Sequence, residues 1–180
     1  GPVCTMLLAY MGADVIKLER PSGGDDTRRM GPPFINGLGA GFLALNRNKR
    51  SLALDLQKEE GKEVFRKLRQ KAEVVVENFR PGVMARLGLG YEELAELKPD
   101  LIYCTISGFG STGPYRNRGG FDLVAQGMSG LMSITGFPDS PPAKVGVPIT
   151  DISAGLLAAN GILCAYIHAL KTGQGQMVDT

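Results

Sequence analysis

Residues 72–107, AEVVVENFRPGVMARLGLGYEELAELKPDLIYCTIS, carry the pattern that decides the fold. Ala72 to Glu77 hold three consecutive valines, the unbroken apolar run of a strand covered on both faces. Pro81 opens a short helix to Leu87, because proline suits the first helical turn, and Tyr91 to Leu97 form a second helix. Leu101 to Ser107 then return as another buried strand. Buried strands separated by helices indicate an α/β domain with a mostly parallel sheet.

The same rhythm extends toward the N-terminus. Val3 to Met11 read as an apolar helix stopped by Gly12, and Asp14 to Glu19 as a strand. A helix beginning immediately after Gly1-Pro2 resembles a module whose first strand is missing. Arg20 to Gly41 read as a long loop, and Leu52 to Leu56 alternate like an edge strand. Gln57 to Lys71 form a solvated helix with Val64, Phe65 and Leu68 as its buried stripe. Toward the C-terminus, Gly108 to Gly120 are a glycine-rich loop, Phe121 to Thr135 an interrupted helix, and Gly136 to Pro148 a loop. Asp151 to Lys171 form the longest helix, closed by Thr172-Gly173, and Gln176 to Asp179 begin a strand. The expected sheet has strands near 14–18, 73–77 and 101–106, with Asp151 starting its helix at the sheet's C-terminal edge. Both ragged ends lead to the expectation that these 180 residues belong to a larger polypeptide.

Composition excludes several classes of function. Twenty basic residues against eighteen acidic leave a net charge of +2, too even for a protein that coats nucleic acid. The only histidine is His168, and Cys4, Cys104 and Cys164 stand alone, so no zinc cluster or disulfide framework is expected. No apolar run reads as a membrane span.

Gly108-Phe-Gly110-Ser-Thr-Gly113 follows a strand and matches the dinucleotide fingerprint literally. That fingerprint needs a helix opening at its last glycine and an acid about 20 residues on. Here Pro114-Tyr-Arg-Asn-Arg-Gly-Gly follows and no acid lies between 123 and 138, so the run reads as a structural or substrate-lining loop. Gly127-Met-Ser129-Gly130 lacks the spacing of a hydrolase elbow, which leaves Ser129 as a packing residue inside a helix. Arg47-Asn48-Lys49-Arg50 and Arg28-Arg29 are either solvated corners or phosphate contacts, since arginine and lysine supply charge-assisted donors. Two basic loops beside α/β strands suit a ligand with several phosphates better than nucleic acid. His168 lies nearly five turns from the start of its helix and reads as packing or surface.

Asp151 has two readings. It precedes the periodic run Ile152, Leu156, Leu163, Ile167, and on that ground reads as a helix cap. Yet Ser153, Ala154, Gly155, Ala158, Ala159 and Gly161 are small and admit another backbone or a ligand. A helix N-terminus favours the charged form of a carboxylate, which makes Asp151 a candidate nucleophile. Asp122 is a second acid at a helix start, beside glycines.

Taken together, residues 12–33, 45–56, 74–94, 101–136 and 145–176 resemble the family III CoA-transferases, also called the CaiB/BaiF family, which includes α-methylacyl-CoA racemases. The resemblance covers essentially the whole chain. It implies a Rossmann-like sheet flanked by helices, with residues 1–180 as the N-terminal portion of the large domain of a two-domain enzyme whose two subunits interlock. It implies that Asp151 is the catalytic carboxylate and that Arg28, Asn48, Lys49, Arg50, Asn78, Phe79 and Arg86 help hold coenzyme A. Phe121, Asp122 and Gln126 would line the active site. Racemase members carry histidine where this chain has Phe121, and phenylalanine cannot exchange a proton, so the transferase branch is preferred over the isomerase. A non-catalytic nucleotide-binding module is the remaining alternative. The implied reaction moves coenzyme A from an acyl-CoA donor to a free carboxylic acid through aspartyl anhydride and aspartyl-CoA thioester intermediates, with no metal or permanently bound cofactor. The implied partners are acyl-CoA, a free acid and a second copy of the chain, in the cytoplasm or, in a eukaryote, the mitochondrial matrix.

Overall fold

Gly12, at φ +101°, stops helix α1 (Pro2–Tyr10) and turns the chain into strand β1 (Val15–Glu19). The computed structural model describes residues 1–180. The segment expected as one long loop is more ordered than that. It holds a 3-10 turn at Asp26–Arg29 and a hairpin of β2 (Phe34–Ile35) and β3 (Leu38–Gly39). Asn36 and Gly37 turn this hairpin at φ +49° and +79°, the pair of positive values that a two-residue Asn-Gly turn adopts. Then follow α2 (Ala40–Leu45), β4 (Lys49–Ala53), α3 (Glu59–Lys71), β5 (Val74–Glu77), α4 (Val83–Arg86) and α5 (Tyr91–Leu97). The chain ends through β6 (Ile102–Thr105), α6 (Asp122–Met128), α7 (Ile149–Thr172) and β7 (Met177–Asp179).

The mixed α/β class and the parallel pairing are as expected. β1 pairs with β4, β5 with β6 and β6 with β7, all parallel, and only the β2–β3 hairpin is antiparallel. The parallel strands form two hydrogen-bonded sheets, β1–β4 and β5–β6–β7, rather than one. Side chains join them instead: Leu18, Leu54 and Leu56 pack with Val75 against Phe65, Leu94 and Tyr103. The edge strand begins earlier than its alternation implied, because its ladder with β1 reaches back to Lys49 opposite Val15. Asp55 then turns the chain, its Oδ1 accepting from the Gln57 N–H at 3.0 Å. On α3 the buried stripe is Phe65 with Gly61 and Arg69, while Val64 faces solvent. Arg69 donates to the Leu94 carbonyl of α5 at 3.1 Å, near that helix's C-terminus, where a cation is favoured.

β6 is buried on both sides, and its alternation divides the core. Ile102 and Cys104 face Cys4 and Leu8 of α1 and Ala158, Ala159, Ile162 and Ala165 of α7. Leu101, just before the strand, and Tyr103 face Phe65, Met84, Leu89 and Leu94 on the other side. The helix–sheet–helix layering follows from this two-sided strand.

α7 departs from two expectations. By length and composition it could cross a membrane, contrary to the reading of the sequence, because alanine, leucine and isoleucine between its few polar residues keep it apolar throughout. One face packs against α1, β6 and β7. Its small residues serve that packing. A Cβ on Gly155 would lie 2.7 Å from the Val3 Cβ, and one on Gly161 2.7 Å from a Val178 methyl. The Gly155 face is therefore filled by α1 and holds no room for a ligand.

Candidate active site

α7 returns to β7 through Gly175, whose N–H bonds the Pro99 carbonyl just ahead of β6 at 2.8 Å. Since β7 runs parallel to β6, the first turn of α7 must lie beyond the C-terminal edge of the sheet, as expected. Asp151 is the third residue of this helix and not its cap, for Pro148 occupies the capping position and offers no side-chain bond. The side chain of Asp151 is exposed at the rim, yet the surrounding chain removes enough water to raise its carboxyl above the usual carboxylate range. The nearby charge of Asp122 adds to that rise. The helix N-terminus was expected to favour ionisation, and here desolvation and a like charge outweigh it. A carboxylate that binds its proton more tightly is also a more basic, and thus a better, nucleophile.

Asp122 begins α6 and reaches across to α7. Its Oδ1 accepts from the Thr150 N–H at 2.9 Å and from the Thr150 hydroxyl at 2.7 Å. Burial works against ionisation of Asp122, but these bonds and one from Gln126 prevail and lower its proton affinity. Gln126 is fully buried, donating from Nε2 to Asp122 at 2.7 Å and accepting from the Val145 N–H at 2.8 Å. Phe121, 73% exposed, caps α6 from an extended backbone and has no group that could act as a base.

Asp151 stands one turn before Gly155, which packs on Val3 and Cys4 of α1, and Asn78 lies against Gly1 at the start of that helix. A Cβ on Gly1 would fall 2.4 Å from the Asn78 Oδ1. Lys49 approaches the same end of α1, donating from Nζ to the Pro2 carbonyl at 3.0 Å and to the Asn46 Oδ1 at 3.2 Å. Its half-buried ammonium is lowered to about 8 by desolvation, with Lys17 adding repulsion.

Lys49 also opens onto a polar pocket of about 210 Å³ that includes Lys17, Glu19, Arg28, Arg50 and Ser51. Arg28 donates from Nε and one terminal nitrogen to the two oxygens of Glu19, at 2.7 and 2.8 Å. Its guanidinium lies 4.1 Å over the Phe42 ring, which leaves one terminal nitrogen outside the ion pair. Arg50 lines the pocket but pairs with Asp14 in solvent. Asn48 sits in the preceding turn at φ +60°. Phe79 and Arg86 are exposed on the segment from β5 to α4 and do not line this pocket. The structure thus brings Asp151, Asp122 and Gln126 together at the first turn of α7, sets Asn78 and Lys49 at the start of α1, continues from Lys49 to Arg28 and Arg50, and keeps Phe79 and Arg86 out of that pocket.

The sequence reading missed Lys17, Glu19 and Ser51. A period of two puts Lys17 and Glu19 on one face of β1, and the ladder sets Ser51 opposite Lys17. That pattern was present in the sequence, but the partner strand had been placed too late in the chain to use it. Ser129 closes the end of α6 and is exposed, since the helix stops before it. No helix opens at the Gly108–Gly113 run; a Cβ on Gly108 would lie 2.3 Å from the Gly120 Cα, so the glycines close a loop on itself. His168 is exposed far along α7.

Comparison with known proteins identifies the family. A succinate–glutarate CoA-transferase of Agrobacterium fabrum is 50% identical over 185 residues, covering 99% of this chain and 46% of that protein. A succinyl-CoA:mesaconate CoA-transferase of Haloarcula hispanica is 50% identical over 189 residues, covering 100% of this chain and 47% of the relative. A crystal structure of a CaiB/BaiF family protein from Brucella suis superposes with a TM-score of 0.95 at 49% identity, covering 99% of this chain and 48% of that one. The chain spans about half the length of these relatives. The family model described as CoA-transferase family III matches residues 1–180, and the chain belongs to that family.

Proposed function

We propose that residues 1–180 are the N-terminal portion of the large domain of an acyl-CoA:carboxylate CoA-transferase, with Asp151 as its nucleophile. The observation that carries this reading is the continuity of the edge described above. Asp151 stands one turn before Gly155, which packs on Val3 and Cys4 of α1, while Lys49 bonds the Pro2 carbonyl at the same end of that helix and leads into the pocket of Arg28 and Arg50. A CoA ester laid along this line has its phosphates among cations and its thioester at the carboxylate. Arg28 contributes through the nitrogen that Glu19 leaves free, Asn78 at the acyl end, and Phe79 and Arg86 from the flank.

The chemistry follows from what a carboxylate can do. An Asp151 oxygen attacks the thioester carbonyl, the carbon–sulfur bond breaks, and CoA leaves as thiolate with a mixed anhydride behind it. The thiolate then attacks the Asp151 carbonyl and expels the donor acid, giving an aspartyl-CoA thioester. The acceptor carboxylate displaces the thiolate from Asp151 to form a second anhydride. Attack of the thiolate on the acceptor's carbonyl forms the new acyl-CoA and frees Asp151. Positioning and stabilisation of each oxyanion must supply much of the rate, since a carboxylate is a weak nucleophile. The relatives' names point to short dicarboxylic acids, with succinyl-CoA as the first donor to try. A racemase is disfavoured because Phe121 stands where its second base would be. We further place a second subunit, interlocked with the first, against the exposed apolar residues of α7.

The test is hydroxylamine trapping during turnover of succinyl-CoA with glutarate, using enzyme from the complete reading frame. A hydroxamate on the peptide containing Asp151, a gain of about 15 Da and of order one per subunit, is the expected result for covalent catalysis. Exchange of the substrate α-hydrogen with deuterated water, without acceptor acid and without label, would establish the isomerase instead.

A further inference from the structure

One carboxylate ties together three segments that meet at the first turn of α7. That turn carries N–H groups with no helical partner, and the helix supplies no side-chain cap of its own. Asp122 acts as the missing cap from another element, accepting from both the N–H and the hydroxyl of Thr150. Its second oxygen is held by Gln126, which in turn holds Val145 in the loop before α7. The Gln126 amide has one orientation that satisfies both neighbours, with Nε2 toward the carboxylate and Oε1 toward the Val145 N–H.

We propose that Asp122 is a positioning residue for CoA transfer: with Gln126 it fixes the backbone at Thr150, and so the direction of the Asp151 carboxylate, while keeping a second negative charge beside the nucleophile. The inference rests on Asp151 being the acyl acceptor. Acylation neutralises Asp151, and the negative charge departs with the thiolate. Repulsion by Asp122 is therefore present before the bond forms and relieved afterwards, a difference that favours attack. The charged side chain acting on Asp151 is that of Asp122 from α6. β6 and β7 present uncharged Ile102, Cys104 and Val178 beneath α7, the Cys104 thiol being pushed up to about 12 by burial.

The test compares Asp122→Asn, and Asp122→Asn combined with Gln126→Glu, with wild type. The single change keeps an acceptor for Thr150 but sets an amide nitrogen against the Gln126 Nε2. The double change restores acceptor to donor throughout and moves the charge one helical turn away from Asp151. With succinyl-CoA and glutarate, Asp122→Asn is expected to lower kcat by about 10- to 100-fold while KM for succinyl-CoA stays within about twofold. The acidic limb of its kcat profile moves to lower pH, because Asp151 then ionises more readily. The double variant recovers most of kcat with its limb still below that of wild type. If Asp122→Asn does not fold, the double variant, which keeps every hydrogen bond, supplies the same pH comparison. A role confined to stability would lower the melting temperature and leave the limb in place, and an unmoved limb overturns the proposal. Absence of the Asp151 hydroxamate in wild type overturns the nucleophile reading and this inference with it. A labelled wild type beside an Asp122→Asn enzyme with unaltered kcat and pH limb overturns this inference alone.

Discussion

Replacing Asp151 separates chemistry from folding, because the groups that set its proton affinity act through desolvation and charge and none is a hydrogen bond. Asp151→Asn is expected to fold, to bind acyl-CoA and to lose nearly all turnover. Asp151→Ala loses turnover as well but changes stability by no more than about 0.5 kcal/mol in urea denaturation, since no cap is lost. Glu19 behaves in the opposite way. The Arg28 hydrogen bonds, helped by the Asp25 N–H and Ser51, hold its buried carboxyl down to about 2, below its ordinary value of 4.5. A depressed carboxyl stabilises the fold above its unfolded pKa and ceases to do so as pH falls through the folded value. The pair is thus worth about 3 kcal/mol near neutrality, declining between about pH 5 and pH 2. Parallel urea titrations of wild type and Glu19→Gln should show their stability gap closing over that window. A gap that stays constant would mean that Glu19 contributes packing and no linked charge.

At the scale of elements, the meeting of α1 and α7 makes the sharpest forecast. Gly155→Ala gains up to about 1 kcal/mol of helix propensity but drives a methyl into the Val3 Cβ and the Cys4 backbone. The overlap is expected to win, for a net loss of about 1–3 kcal/mol. Val3→Ala trims the methyls but leaves the obstructing Cβ, so the double variant should recover part of the loss and register as coupling in a double-mutant cycle. Additive losses would show that α1 moves aside freely. This contact also marks where sequence legibility ended. The small residues of α7 were visible, but what lay against them was set by long-range packing, and a ligand and a neighbouring helix impose the same composition. The valine run and Leu101–Ser107 were legible because a strand buried on both faces leaves a continuous apolar signature. The start of β4 was not, since its first residues, Lys49 and Arg50, carry charge and are strand only by pairing with Val15 and Ile16. Asn36-Gly37 was a readable hairpin signal lost inside a segment dominated by glycine, proline and charge. For the site, residue type singled out Asp151 and Asp122, while the bond from Asp122 to Thr150 joins elements 28 positions apart and left no local trace.

Across the whole molecule, apolar surface is unevenly placed. Leu156, Leu157, Leu163, Ile167 and Leu170 are exposed along α7, outside the face that packs on α1. Residues 1–180 produced alone are expected to self-associate with rising concentration, since exposed apolar area of this extent drives association. Leu157→Glu with Leu170→Glu should reduce that association in sedimentation velocity without altering the far-ultraviolet circular dichroism. A sharp single transition and a monomer at all concentrations would show the stripe to be compatible with water.

The parallel pairing of Tyr103 with Met177 has a consequence in time. All of α6 and α7 lie between these two partners, so the third strand of that sheet leaves the ribosome only after the helix bearing Asp151 has been made. Loop closure over such a separation is slow compared with forming the helices themselves. During synthesis α7 therefore exists as a helix with no completed sheet beneath it. β7 completes its sheet after the pocket residues of β1 and β4, made more than a hundred positions earlier, have had time to pair.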